Sequence, residues 1–117
     1  MDDAPLHVYR VIVRGQFRNL VPATRARLLA EVGDHNIFSS AFTAVGTFTY
    51  EPALVAFNLR YEVRIRGDDP VLAAQEQARR QAIEFLTEQE LDHRLIRLEI
   101  MDMADVWRAG VRPQGAT

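Results

Sequence analysis

Residues 57–66, FNLRYEVRIR, put Phe57, Leu59, Tyr61, Val63 and Ile65 on one parity and Asn58, Arg60, Glu62, Arg64 and Arg66 on the other. Successive side chains of a β-strand point to opposite faces, so this alternation dictates a strand with one apolar face and one arginine-rich face. A helical period would mix the two sets. The apolar face demands a sheet and a covering layer, and the other face poses the functional question.

The remaining segments supply both sheet and cover. Residues 6–14, LHVYRVIVR, read as a first strand with Tyr9, Val11 and Val13 facing the core and Gly15 ending it. Pro22 to Val32 reads as a helix, with proline in the first turn and Gly33 as its stop. Threonine- and aromatic-rich residues 40–50, the turn YEPA and residues 54–66 form a hairpin pattern. Centred on Glu51 and Pro52, the turn places Gly46 opposite Phe57, Ala44 opposite Leu59 and Phe42 opposite Tyr61. GDDP opens a second helix over residues 70–89, with Asp69 as cap and an inward stripe of Val71, Ala74, Ala78, Ala82, Phe85 and Leu86. Residues 94–101, RLIRLEIM, complete the set, with Ile96, Leu98 and Ile100 inward.

This β-α-β-β-α-β order predicts an α+β, ferredoxin-like sandwich: a four-stranded antiparallel sheet with two helices on one face. The first and third strands are then central, the fourth lies beside the first and the second beside the third. A chain of 117 residues suits one such domain, with residues 1–5 and 110–117 as flexible tails.

Composition removes several chemistries. There is no cysteine, hence no disulfide and no thiolate nucleophile. All 14 basic residues are arginine, which excludes Schiff-base and phosphate-loop lysines and makes any anion site a guanidinium site. The net charge of -2 argues against a dedicated nucleic-acid binder. No apolar run is long enough for a membrane span, and MDDAPLHVYR lacks the pattern of a signal peptide, so a cytoplasmic location without membrane partners is expected.

His7, His35 and His93 show no metal-ligand spacing, and the six glycines form no dinucleotide fingerprint. Asp102 and Asp105 alone make a weak cation site, and helix capping or solvation explains them better. No metal and no cofactor are therefore expected. FSSAF, which holds both serines, is not a nucleophile elbow.

The face left uncovered carries, by parity, Val8, Arg10, Ile12 and Arg14, then Arg60, Glu62 and Arg64, then Leu95, Arg97, Glu99 and Met101. Three uses compete with simple solvation. Apolar residues among paired charges suit a homodimer. Arg10, Arg60, Arg64 and Arg97 are candidate ligands for an anionic small molecule or protein partner. Base stacking would need exposed aromatics, and Tyr9, Phe57 and Tyr61 all point coreward, which disfavours nucleic acid. A cofactor-free enzyme of the dimeric α+β barrel type is the alternative, with His35 and Tyr50 as its candidate acid–base residues.

VYRVIVRG, RARLLA, AFTAVGTFTY and DMADVWR together resemble a family of small actinobacterial proteins of unknown function over residues 7–108. The resemblance implies a single cytoplasmic domain and assigns no activity or site residues. The absence of lysine is consistent with a GC-rich genome. Trp107, in the most distinctive segment, is expected to close an edge of the core or an oligomer interface.

Overall fold

The computed structural model describes residues 5–36 and 40–107, so the expected tails lie outside the described residues except for Pro5. The strands are β1 (Leu6–Phe17), β2 (Thr47–Tyr50), β3 (Ala56–Arg66) and β4 (His93–Asp102), and the helices are α1 (Pro22–Ala30) and α2 (Pro70–Glu88). A 3-10 turn, Val32–His35, follows α1, and residues 103–107 are helical. The sheet is antiparallel with order β2-β3-β1-β4, so β1 and β3 are central as expected.

The core lies where the alternation puts it. Tyr9, Val11 and Val13 of β1 and Phe57, Leu59, Tyr61 and Val63 of β3 are buried in one cluster with Leu28 of α1 and Ala74, Ala78, Ala82 and Leu86 of α2. The alanines let α2 lie close across β3, β1 and β4. Val71, expected on the same stripe, is exposed at the first turn.

Several expectations need correction. Gly15 does not end β1 but continues it, because an added Cβ there would lie 2.4 Å from Phe57 Cζ and 2.9 Å from the Arg94 carbonyl oxygen. The missing side chain permits close approach on both sides. Beside it the β1–β4 register slips between Arg14, opposite Arg97, and Gly15, opposite Leu95. This irregularity leaves Ile96 46% exposed and packs Leu95 on the core, reversing both assignments.

The hairpin also differs. Tyr50, not Gly46, pairs with Phe57, and Phe48 pairs with Leu59. Buried Leu54, at φ 55°, is drawn into the core cluster, and its amide donates to the Glu51 carbonyl, so the turn is longer than a tight Glu51–Pro52 corner. The register moves by an even step, which preserves the faces. Only Thr47–Tyr50 forms the strand; Thr43 makes a separate parallel bridge to Tyr61.

At the helix ends, α1 stops at Ala30 rather than Val32, and Asp69 starts α2 in a left-handed conformation without a side-chain cap. Asp102 does cap: its Oδ1 accepts from the Ala104 amide at 2.9 Å, opening the helical residues 103–107. Trp107 in that segment is 54% exposed and outside the core.

Candidate functional site

On the sheet face turned away from α2, Arg10, Ile12 and Arg14 stand opposite Glu62, Arg60 and Asn58 of β3 and opposite Met101, Glu99 and Arg97 of β4. The parity argument thus gathers the arginines correctly. Their partners divide them into two groups.

The first group meets the protein's own carboxylates. Arg14 grips Glu99 through Nε at 2.7 Å and Nη2 at 3.1 Å, and Arg97 reaches the same carboxylate at 2.8 Å. The hydrogen bond from Arg14, then that from Arg97, hold the Glu99 carboxyl down at about 2. Arg64 reaches Glu62 at 3.1 Å in an exposed pair. Two of the four expected anion ligands, Arg64 and Arg97, therefore already have acidic neighbours.

Arg10 and Arg60 form the second group. The Arg10 guanidinium lies 5.1 Å from the centre of the Phe42 ring, and its buried Nε has no hydrogen-bond partner. Phe42 was expected beside Tyr61 on the core side; past the turn at residues 43–46, closed by the Gly46 amide on Thr43, it meets Arg10 instead. Arg60 is only 8% exposed. Its Nη1 donates to Thr49 Oγ1 at 2.8 Å, and it makes no ion pair among the described residues. Burial, then the charge of Arg14, push its pKa down. A buried cation is ordinarily paired, because desolvation disfavours its charged form.

Burial on this side corrects the picture of an uncovered face. Val8 is buried although its parity is opposite to the core, and buried Met103 lies one step beyond the Tyr9–Asp102 pair. Of the apolar residues expected to be stranded among charges, Val8 is covered and Leu95 faces the core, leaving Ile12 and Met101.

A cavity of about 510 Å³ opens at the hairpin end of this face. Thr49, Ala56 and Asn58 contribute from the sheet, Val32, Gly33 and Asn36 from the 3-10 turn and its end, and Tyr50, Glu51 and Pro52 from the hairpin turn. Thr49 and Asn58 are direct cross-strand neighbours. Asn58 Oδ1 accepts from Arg14 Nη1 at 2.9 Å, as Thr49 Oγ1 accepts from Arg60. Thr49, Asn58 and Arg14 were not among the expected site residues, although their strand parity places them beside the arginines that were.

His35 and Tyr50 come together, with ring centres 5.5 Å apart and nearly parallel planes. His35 Nδ1 lies 3.0 Å from the Phe48 carbonyl oxygen, which places a proton on that nitrogen. The Tyr50 hydroxyl donates to the Leu28 carbonyl at 2.6 Å, and burial first, then Glu31, raises its pKa. Its proton is thus held within the fold. Among the described residues, no three of histidine, aspartate and glutamate gather to hold a metal ion. No helix there is long and apolar enough to cross a membrane.

The chain belongs to a family of unknown function, DUF6204, which matches residues 1–113. No curated protein and no solved structure gives a match.

Proposed function

We propose that this protein is a small ferredoxin-like, single-domain module that binds an anionic small molecule or an acidic protein group on the arginine face of its sheet, with Arg60 at the centre. One observation carries this reading: Arg60 is a buried guanidinium whose hydrogen bond goes to a neutral hydroxyl, while neighbouring Arg14, Arg64 and Arg97 all meet glutamates. Burial limits solvent screening, so an incoming carboxylate or phosphate gains more at Arg60 than at an exposed arginine. Arg10, with its unmatched Nε, is the second donor of the set.

The test is calorimetric titration with carboxylates and phosphates at low salt. Binding that weakens with added salt and is diminished by Arg60→Ala supports the reading. Binding that is absent, or indifferent to Arg60→Ala, ends it.

We further infer self-association. Ile96 and Met101 are about half exposed on edge strand β4, and an edge strand offers backbone groups to a second copy. The use of arginine for all 14 Lys/Arg positions supports a GC-rich, actinobacterial source, and a chain with no cysteine fits a reducing, cytoplasmic setting.

A further inference from the structure

We propose that the cavity between the β2–β3 hairpin and the 3-10 turn Val32–His35 binds an organic monocarboxylate with an apolar body, its carboxylate held by the Thr49 hydroxyl and the Asn58 amide. This deepens the anion-binding reading and rests on it.

The two arginines behind the cavity fix the polarity of its floor. A threonine hydroxyl offers one donor, and an asparagine side chain offers one acceptor oxygen and two donor hydrogens. Arg60 Nη1 donates to Thr49 Oγ1, so the hydroxyl hydrogen must turn elsewhere. Arg14 Nη1 donates to Asn58 Oδ1, which fixes the flip of that amide and leaves its Nδ2 hydrogens without a partner among the described residues. Thr49 and Asn58 are adjacent across the β2–β3 ladder and both line the cavity. The floor is therefore a pair of neighbouring donors backed by two guanidinium groups. An acceptor-rich anion fits that arrangement, and a cation does not.

Charge count selects the anion. Arg14 and Arg97 share the single carboxylate of Glu99, which leaves one positive charge in that cluster, and buried Arg60 adds a second with no carboxylate partner among the described residues. Glu51 lines the cavity and offsets one of these two positive charges. One net charge therefore suits the site better than two, favouring a carboxylate over a phosphate dianion. Val32, Tyr50, Pro52 and Ala56 give the remaining wall an apolar character, and about 510 Å³ lies within the range of small-molecule pockets.

The experiment titrates acetate, hexanoate, benzoate and inorganic phosphate into the intact chain at low salt and constant ionic strength. Hexanoate and benzoate should bind more tightly than acetate, and all three more tightly than phosphate. Thr49→Val and Asn58→Leu should each weaken hexanoate by about tenfold, the loss of one hydrogen bond to a charged group. Ala56→Phe, which fills the cavity from an exposed strand position and touches no polar group, should abolish hexanoate binding while the circular dichroism spectrum and melting transition stay cooperative. Anion binding that depends on Arg60 but ignores chain length, Thr49→Val, Asn58→Leu and Ala56→Phe would overturn this site and leave the general anion reading standing. Absence of binding by every anion would overturn both.

Discussion

Gly46 lies against the ring of Tyr61 so closely that a Cβ added to it would fall 2.4 Å from Tyr61 Cε1. Its φ of 92° is also one that side-chain-bearing residues rarely adopt. Two constraints thus coincide where the chain turns into β2. Gly46→Ala should destabilise the fold by about 2 kcal/mol or more, combining overpacking with backbone strain. Chemical denaturation checks this, and an unchanged midpoint would mean that the ring moves aside freely.

Two buried tyrosine hydroxyls predict opposite responses to the same truncation. Tyr50 donates to the Leu28 carbonyl, whereas the Tyr61 hydroxyl has no partner among the described residues and its pKa is pushed up to about 12, chiefly by burial. Tyr50→Phe should cost about 1 kcal/mol because it leaves the Leu28 carbonyl only its longer bond from the Glu31 amide at 3.2 Å, and Tyr61→Phe should leave stability unchanged or raise it. Denaturation midpoints of the two variants, compared with the parent, decide the matter.

The alternation of residues 57–66 revealed the central strand, the faces of its neighbours and the gathering of arginines, because parity survives any even shift of register. It could not reveal the slip beside Gly15, which depends on Phe57 and the Arg94 carbonyl approaching from other strands. That slip exchanged the roles of Leu95 and Ile96. Nor could it distinguish Arg60 from Arg64 and Arg97, since all three share the pattern. What separates them is burial and the carboxylate each one meets, and both are tertiary facts. His35 and Tyr50 were singled out for acid–base work, and the fold brings them together, but the hydroxyl–carbonyl bond that engages Tyr50 spans residues with no mutual sequence signal.

The Glu99 cluster predicts an acid response. The Glu99 carboxyl is held at about 2 against an ordinary 4.5, first by Arg14 and then by Arg97. A depressed folded-state pKa contributes stability that is complete above the unfolded value and is lost as pH falls through the folded one. Stability should therefore decline between pH about 4.5 and about 2. Glu99→Gln should flatten that part of the profile, as read by thermal melts over a pH series. Identical slopes in parent and variant would contradict the pairing.

In the proposed self-association through β4, half-exposed Ile96 would be a contact. Ile96→Glu should weaken the dimer by about tenfold or more, because it places an unpaired carboxylate at the interface. Sedimentation equilibrium over a concentration series measures this. A monomer mass for the parent at the highest concentration would refute the dimer.

Arg60 has no carboxylate partner among the described residues, and the proposed function supplies one from an external anion. Nitrogen-15 NMR of the arginine side chains reads this directly, following each Nε–H resonance as hexanoate is added at low salt. A saturable shift of the Arg60 resonance is expected, with Arg64 and Arg97 held near their starting positions by Glu62 and Glu99. An Arg60 resonance that stays still, or one that drifts in step with every exposed arginine, would contradict the proposed function.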